Sequence, residues 1–152
     1  MPPTDLLTAE RIVMLVEPGS RNAVLDAAAR LLTDASPTHT AMIGEGLRER
    51  ENIGTTAIGH GVALPHTRSG AYEQARGAFL RLEHPIDFNA ADGKPVDLVF
   101  AMSVPEHSND EHLRIIGALA DRFADAPFRA ALRSAPDINA LRVLLYDSIQ
   151  IW

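Results

Sequence analysis

The sequence contains no cysteine, which excludes disulfides, thiolate zinc sites and a cysteine nucleophile. Histidine and the carboxylates are left as its chemically useful side chains. Nothing in it requires an oxidising compartment. Long hydrophobic runs are missing too: the longest early one, Ile12 to Val16, is five residues, short of a signal-peptide core. No stretch approaches the length that spans a bilayer, and the expected location is the cytoplasm. Positive charge is in deficit as well, with 14 Lys and Arg against 20 Asp and Glu and a formal charge of −6. That balance argues against general nucleic-acid or anionic-membrane binding. No internal repeat or low-complexity segment is visible. With 152 residues, 46% of them hydrophobic, the chain is expected to form one domain over 1–152 with a sizeable core.

What is present is organised around Ile53 to Arg68, IGTTAIGHGVALPHTR. Gly54, Gly59 and Gly61 punctuate a closely turning segment. Val62-Ala63-Leu64 reads as a short apolar strand, and Pro65 ends it by withholding a backbone N–H. His66 is therefore expected at a strand end, with a restricted backbone that holds its ring at a sheet edge. A lone histidine there often does no more than bond a nearby carbonyl. The surroundings point further, because Thr55, Thr56 and closely spaced glycine N–H groups suit an anionic group, and Arg50 and Arg68 supply charge. Five of the 13 arginines (Arg48, Arg50, Arg68, Arg76 and Arg81) fall between positions 48 and 81, against three glutamates, Glu49, Glu51 and Glu73.

This run, together with PIDF at 85–88, PVDLVFAMSVP at 95–105 and EHL at 111–113, resembles the enzyme IIA domain of the fructose/mannitol class of the bacterial phosphoenolpyruvate-dependent phosphotransferase system. Within that class it is most similar to the nitrogen-related, regulatory type. The likeness spans nearly the whole chain. It implies an α/β fold, a single layered domain with a mixed central β-sheet flanked by helices on both faces. It implies phosphorylation on His66, with Arg50 and His112 matching the family's arginine and second active-site histidine. Thr55 and Thr56 join them as expected phosphate-stabilising groups, and no cofactor or metal is implied. Three positions depart from the pattern: Ala57 for a common glycine, Thr67 for a small residue after the phosphorylated histidine, and His60 where a small polar residue is frequent. None removes a reactive group, although His60 stands where it would perturb the charge on His66.

Along the chain, Ile12 to Val16 reads as a strand or an amphipathic turn. Ser20 reads as an N-cap for a helix over 21–34, and a second helix is expected over 38–49, weakened by Gly44 and Gly46. Ala78 to Leu82 reads as a strand stopped by Pro85. Val96 to Val104 is a nearly continuous apolar run between two prolines, the expected central strand, buried on both faces. A helix starts near Asp110, capped by Asn109 or Asp110, with Leu113, Ile116, Leu119, Ala120 and Phe123 as its core stripe and His112 in its first turn. Shorter helices are expected over 127–133 and 138–147. Trp152, at the end of the sequence, packs back or frays.

His60, His66, His107 and His112 form an imidazole set that a metal hydrolase would use, yet no H-x-x-x-H pair or ligand-spaced carboxylate accompanies them. Asp87, Asp92 and Asp97 suggest acid/base work on one reading and loop and turn caps on the better one. His39 and His84 receive no role. Imidazole is a competent phosphoryl acceptor near neutral pH because much of it is unprotonated and its phosphoramidate stays reactive. Two functions follow from the resemblance. The chain is either a regulator loaded by an HPr-like phosphocarrier and read by target proteins such as kinases or transporters, or a transport component passing phosphate to a IIB domain of a sugar permease. The lack of a IIB or membrane segment favours the regulator.

Overall fold

The computed structural model describes residues 6–107 and 110–149. A six-stranded mixed sheet runs in the order β1-β5-β6-β3-β2, with β4 also paired to β6. Its strands are β1 (Ile12–Leu15), β2 (Ala57–Gly59), β3 (Val62–Ala63), β4 (His66–Ser69), β5 (Arg76–Ile86) and β6 (Val96–Pro105). The helices are α1 (Arg21–Leu32), α2 (Pro37–Ile53), α3 (Asp110–Phe123), α4 (Ala126–Ser134) and α5 (Ile138–Ile149). The expected central strand is β6, which pairs antiparallel with β5 and parallel with β3 and β4. Its apolar run is explained by helices on both faces. Phe100, Met102 and Val104 pack with Ile115, Leu119 and Phe123 of α3 and with Leu141 and Leu145 of α5. Val99 and Ala101 turn the other way, onto Leu25 and Leu32 of α1 and Ile43 and Leu47 of α2. Alternation along β6 thus assigns neighbouring residues to opposite cores.

The α1 start is as read: the Ser20 hydroxyl accepts the Ala23 N–H at 3.1 Å. Four other expectations need correction. Helix α2 runs to Ile53 rather than stopping near 49, because its glycines serve packing: a Cβ at Gly46 would strike the Thr67 hydroxyl and stand 3.2 Å from the Thr67 Cβ. Strand β5 continues through Pro85 to Ile86. Its partner β1 ends opposite Leu82, so beyond that point β5 has a free edge where a missing N–H is tolerated. Pro65 does not end the pairing either. β3 and β4 lie along β6 in one register, Val62 opposite Leu98 and His66 opposite Met102, and the Pro65 carbonyl accepts the Met102 N–H at 2.9 Å. His66 therefore opens β4 as well as following β3.

The fourth correction concerns α3. Its buried stripe is His112, Ile115, Leu119 and Phe123, whereas Leu113 is 66% exposed. The adjacent pairs Ile115-Ile116 and Leu119-Ala120 left the phase of a 3.6-residue period ambiguous by one position. The expected cap at Asn109 and the placement of Trp152 lie outside the described residues.

Between β2 and β3 the chain turns through Gly59, His60 and Gly61, all left-handed, with φ of 93°, 58° and 79°. The His60 N–H donates to Asp92 at 2.8 Å, and its carbonyl accepts from Arg133 at 2.6 Å. Arg133 is itself held by both oxygens of Asp97. A non-glycine residue in this region is strained, and asparagine tolerates it better than histidine. His60→Asn is expected to raise unfolding stability by about 0.5–1 kcal/mol, read from the denaturation midpoint. A fall would show that the His60 ring itself stabilises the turn.

Candidate functional site

His66 is positioned by β4 and by its own neighbour, the Leu64 carbonyl, 2.8 Å from Nδ1. A carbonyl only accepts, so Nδ1 carries the proton and Nε2 the lone pair. The His112 ring, from the first turn of α3, lies 5.4 Å away centre to centre at 60°. It is 6% exposed, and its Nδ1 is buried with no protein hydrogen-bond partner among the described residues. The stripe of α3 that includes His112 delivers it to the sheet directly over the start of β4.

Burial pushes the His66 imidazole below its ordinary value. The Arg50 and Arg68 cations lower it further, while the Leu64 hydrogen bond and the Glu51 carboxylate oppose them. His112 is lowered by burial first, then by His66 and Arg68. Both rings are therefore held neutral at pH 7, and His66 keeps its nucleophilic nitrogen free into mildly acidic solution. An NMR titration of His66 should show its protonation completing below the range of an exposed histidine. The rate of any reaction at Nε2 should rise with pH through that lowered midpoint and level off by neutrality. A midpoint at or above the ordinary imidazole value would contradict this environment.

Of the five clustered arginines, the structure brings Arg50 and Arg68 to bear on His66. The others serve the scaffold: Arg48 pairs with Asp26, Arg76 with Asp34, and Arg81 donates to the Leu132 and Ala135 carbonyls at the end of α4. Arg50 sits half-buried in the last turn of α2 and donates to the Gly54 carbonyl at 2.9 Å rather than to Glu49 or Glu51. Arg68, two residues beyond His66 on β4, lies on the same strand face.

The two threonines, expected to stabilise a phosphate, are both bonded within the protein. The Thr55 hydroxyl donates to the Phe88 carbonyl and accepts the Ala57 N–H at 3.1 Å. The Thr56 N–H and hydroxyl both donate to Glu51, at 2.8 and 2.6 Å. Their hydroxyls shape the segment leading to His66. Glu51, 3% exposed, is the site residue that the sequence reading missed. Its signal was there, since Ile43, Leu47 and Glu51 follow one another at helical spacing and all are buried.

The remaining candidates fall elsewhere. His60 faces Asp92 and not His66, His107 and His84 are exposed, and His39 bonds Tyr72. Among the described residues no group of three or more His, Asp or Glu is placed to hold a metal ion, and no helix is long and apolar enough to cross a membrane. Asp87 accepts the Asn89 N–H, Asp92 accepts from His60 and Lys94, and Asp97 pairs with Arg133. All three acids are loop and strand fasteners.

What this arrangement offers is one fixed neutral imidazole, a second imidazole against it, and two cations: a place for an anion to become attached to nitrogen. Comparison with known proteins gives the family. Residues 5–148 match the family described as "Phosphoenolpyruvate-dependent sugar phosphotransferase system, EIIA 2". A nitrogen regulatory protein of Pseudomonas aeruginosa is 39% identical over 144 residues, 94% of each chain. The crystal structure of nitrogen regulatory protein IIA-Ntr from Neisseria meningitidis superposes with a TM-score of 0.85 at 37% identity, covering 94% of this chain and 98% of that one. The PTS system fructose-specific EIIA component of Haloferax volcanii is 32% identical over 106 residues, 70% of this chain and 69% of its own.

Proposed function

The chain belongs to the phosphotransferase-system EIIA 2 family, and from that premise we propose that it is a regulatory phosphoryl carrier, loaded on Nε2 of His66 by an HPr-like phosphocarrier. The observation that carries the reading is the Nδ1 contact to Leu64, which leaves Nε2 as the nucleophile. In the transfer, the bond between phosphorus and the donor's histidine nitrogen breaks as the bond to Nε2 forms. The donor nitrogen keeps the electron pair, and the Nδ1 proton stays on Nδ1, donated to the Leu64 carbonyl. Little other chemistry is needed beyond positioning and charge neutralisation. Arg50 and Arg68 supply positive charge. His112 orients the phosphoryl oxygens without accepting the group, at a helix start where N–H groups and the dipole favour an anion. Thr55 and Thr56 contribute by holding the approach segment in shape.

The regulatory role is supported by the nitrogen regulatory relatives at 39% and 37% identity. The second reading, transfer onward to a IIB domain of a sugar permease, has the fructose-specific relative in its favour. Incubation with phosphoenolpyruvate, enzyme I and a phosphocarrier, followed by intact mass and peptide mapping, tests the common step: one phosphoryl group on His66 is expected. Label on His112 would reverse the two histidine roles. Addition of a purified sugar IIB then separates the readings, since a regulator should retain its label.

A further inference from the structure

Glu51 is a buried carboxylate for which the transfer chemistry provides no task. Burial of a glutamate to 3% exposure is costly unless it is paired, and both Thr56 donors are spent on it. It adjoins Arg50 at the end of α2, and the Thr56 that it holds accepts the Leu64 N–H at 3.0 Å on the segment whose Leu64 carbonyl holds His66, so its charge is fixed beside the site, where it opposes the arginines. Surface solvation, the usual reason for an acid at a helix end, does not apply.

We infer that Glu51 is a positioning residue whose fixed negative charge weakens the hold of His66 on a phosphoryl group, keeping the adduct ready to leave. The inference rests on the assignment of phosphoryl transfer to His66. A proton on the ring adds positive charge, which Glu51 attracts; a phosphoryl group adds about −1.5 to −2, which Glu51 repels. Because the proton stays on Nδ1, donated to the Leu64 carbonyl, throughout, the phosphoryl charge is the change that Glu51 meets. The other groups facing His66 are Arg50 on α2, Arg68 on β4 and His112 on α3. The two arginines act with the opposite sign, and His112 is neutral at pH 7. The carboxylate therefore works against the cations that draw the group in, which keeps exchange of the phosphoryl group with the phosphocarrier reversible.

Glu51→Gln removes the charge and preserves the shape, with the amide oxygen accepting the Thr56 N–H and the amide N–H donating to the Thr56 oxygen. Two readings are taken: the NMR titration of His66, and the phosphorylated fraction at equilibrium with a fixed ratio of phosphorylated to free phosphocarrier. The titration should move to lower pH, while the equilibrium constant for loading His66 should rise about three- to tenfold. A purely structural Glu51 would move neither in this pairing of signs. An equilibrium constant within twofold of wild type, or lower, overturns the inference, as does an unmoved titration. Glu51→Asp retains the charge and should keep both readings near wild type. It carries the test if the glutamine variant does not fold, and a change in the aspartate variant as large as removal of the charge predicts overturns the inference. Failure of the wild-type protein to accept label removes the proposed function and this inference together, whereas a labelled wild type with an unmoved glutamine variant removes the role of Glu51 alone.

Discussion

His66→Ala protein, folded and mixed with phosphoenolpyruvate, enzyme I and an HPr-like phosphocarrier, takes up no phosphoryl group, while wild type takes up one. Loss should be complete rather than partial, because no other ring combines a fixed tautomer with two nearby cations. His112 lies close enough to inherit the group by position, but it is buried to 6% exposure, and a buried imidazole cannot readily reach, as nucleophile, a phosphoryl group presented on a partner's surface. The wild-type label should leave in mild acid, where protonation of the phosphorylated ring makes it a good leaving group, and survive base. A phosphoserine or phosphothreonine would behave in the opposite manner. Label persisting in folded His66→Ala protein, or acid-stable label in wild type, contradicts the assignment. The fold should tolerate the change, since the half-buried ring contributes one hydrogen bond, to Leu64, worth on the order of 1 kcal/mol.

Arg50→Ala should slow phosphorylation by about a hundred- to a thousand-fold, the usual loss when one preorganised donor to transition-state charge is removed. Its guanidinium bonds the Gly54 carbonyl through one nitrogen, so the planar fork keeps donors for phosphoryl oxygens. Its charge also lowers the His66 imidazole more than that of Arg68 does. Two effects of opposite sign must be separated: without Arg50 the ring becomes more basic, yet the phosphoryl group loses its counter-charge, and the second effect dominates at neutral pH. Initial rates at saturating phosphocarrier read the difference. A rate within about threefold of wild type would make Arg50 a helix-end cap and nothing more.

Much of this was legible in the sequence, and the boundary of legibility is physical. Val96 to Val104 announced the central strand because both of its faces are covered, which produces an unbroken apolar run. α1 announced its start through Ser20. β4 was invisible: His-Thr-Arg-Ser has no apolar alternation, and it is a strand through parallel pairing with β6, a partner more than thirty residues away. His66 was singled out by its local company of glycines, proline and arginine. The bonds of the Thr55 and Thr56 hydroxyls, to Phe88 and Glu51, were not legible, since a sequence shows which donors are near one another but not where they point. Glu51 was passed over because an acid beside an arginine at a helix end reads as solvated, and only its place in the Ile43-Leu47 stripe said otherwise.

The contact between Gly46 and Thr67 makes those two positions a single unit of inheritance. α2 carries Arg50 and Glu51, β4 carries His66 and Arg68, and the distance between the two elements is set where a residue without a side chain meets a β-branched one. A chain in which position 67 shrank to glycine or alanine would have room for a methyl group at 46. A chain that enlarged 46 while keeping threonine would have to spread α2 from β4 and so carry the arginine away from the histidine it serves. Sequence change at this site is therefore expected to come in pairs, and an alanine at 46 beside a glycine at 67 should be the neighbour that this chain can reach without losing its chemistry.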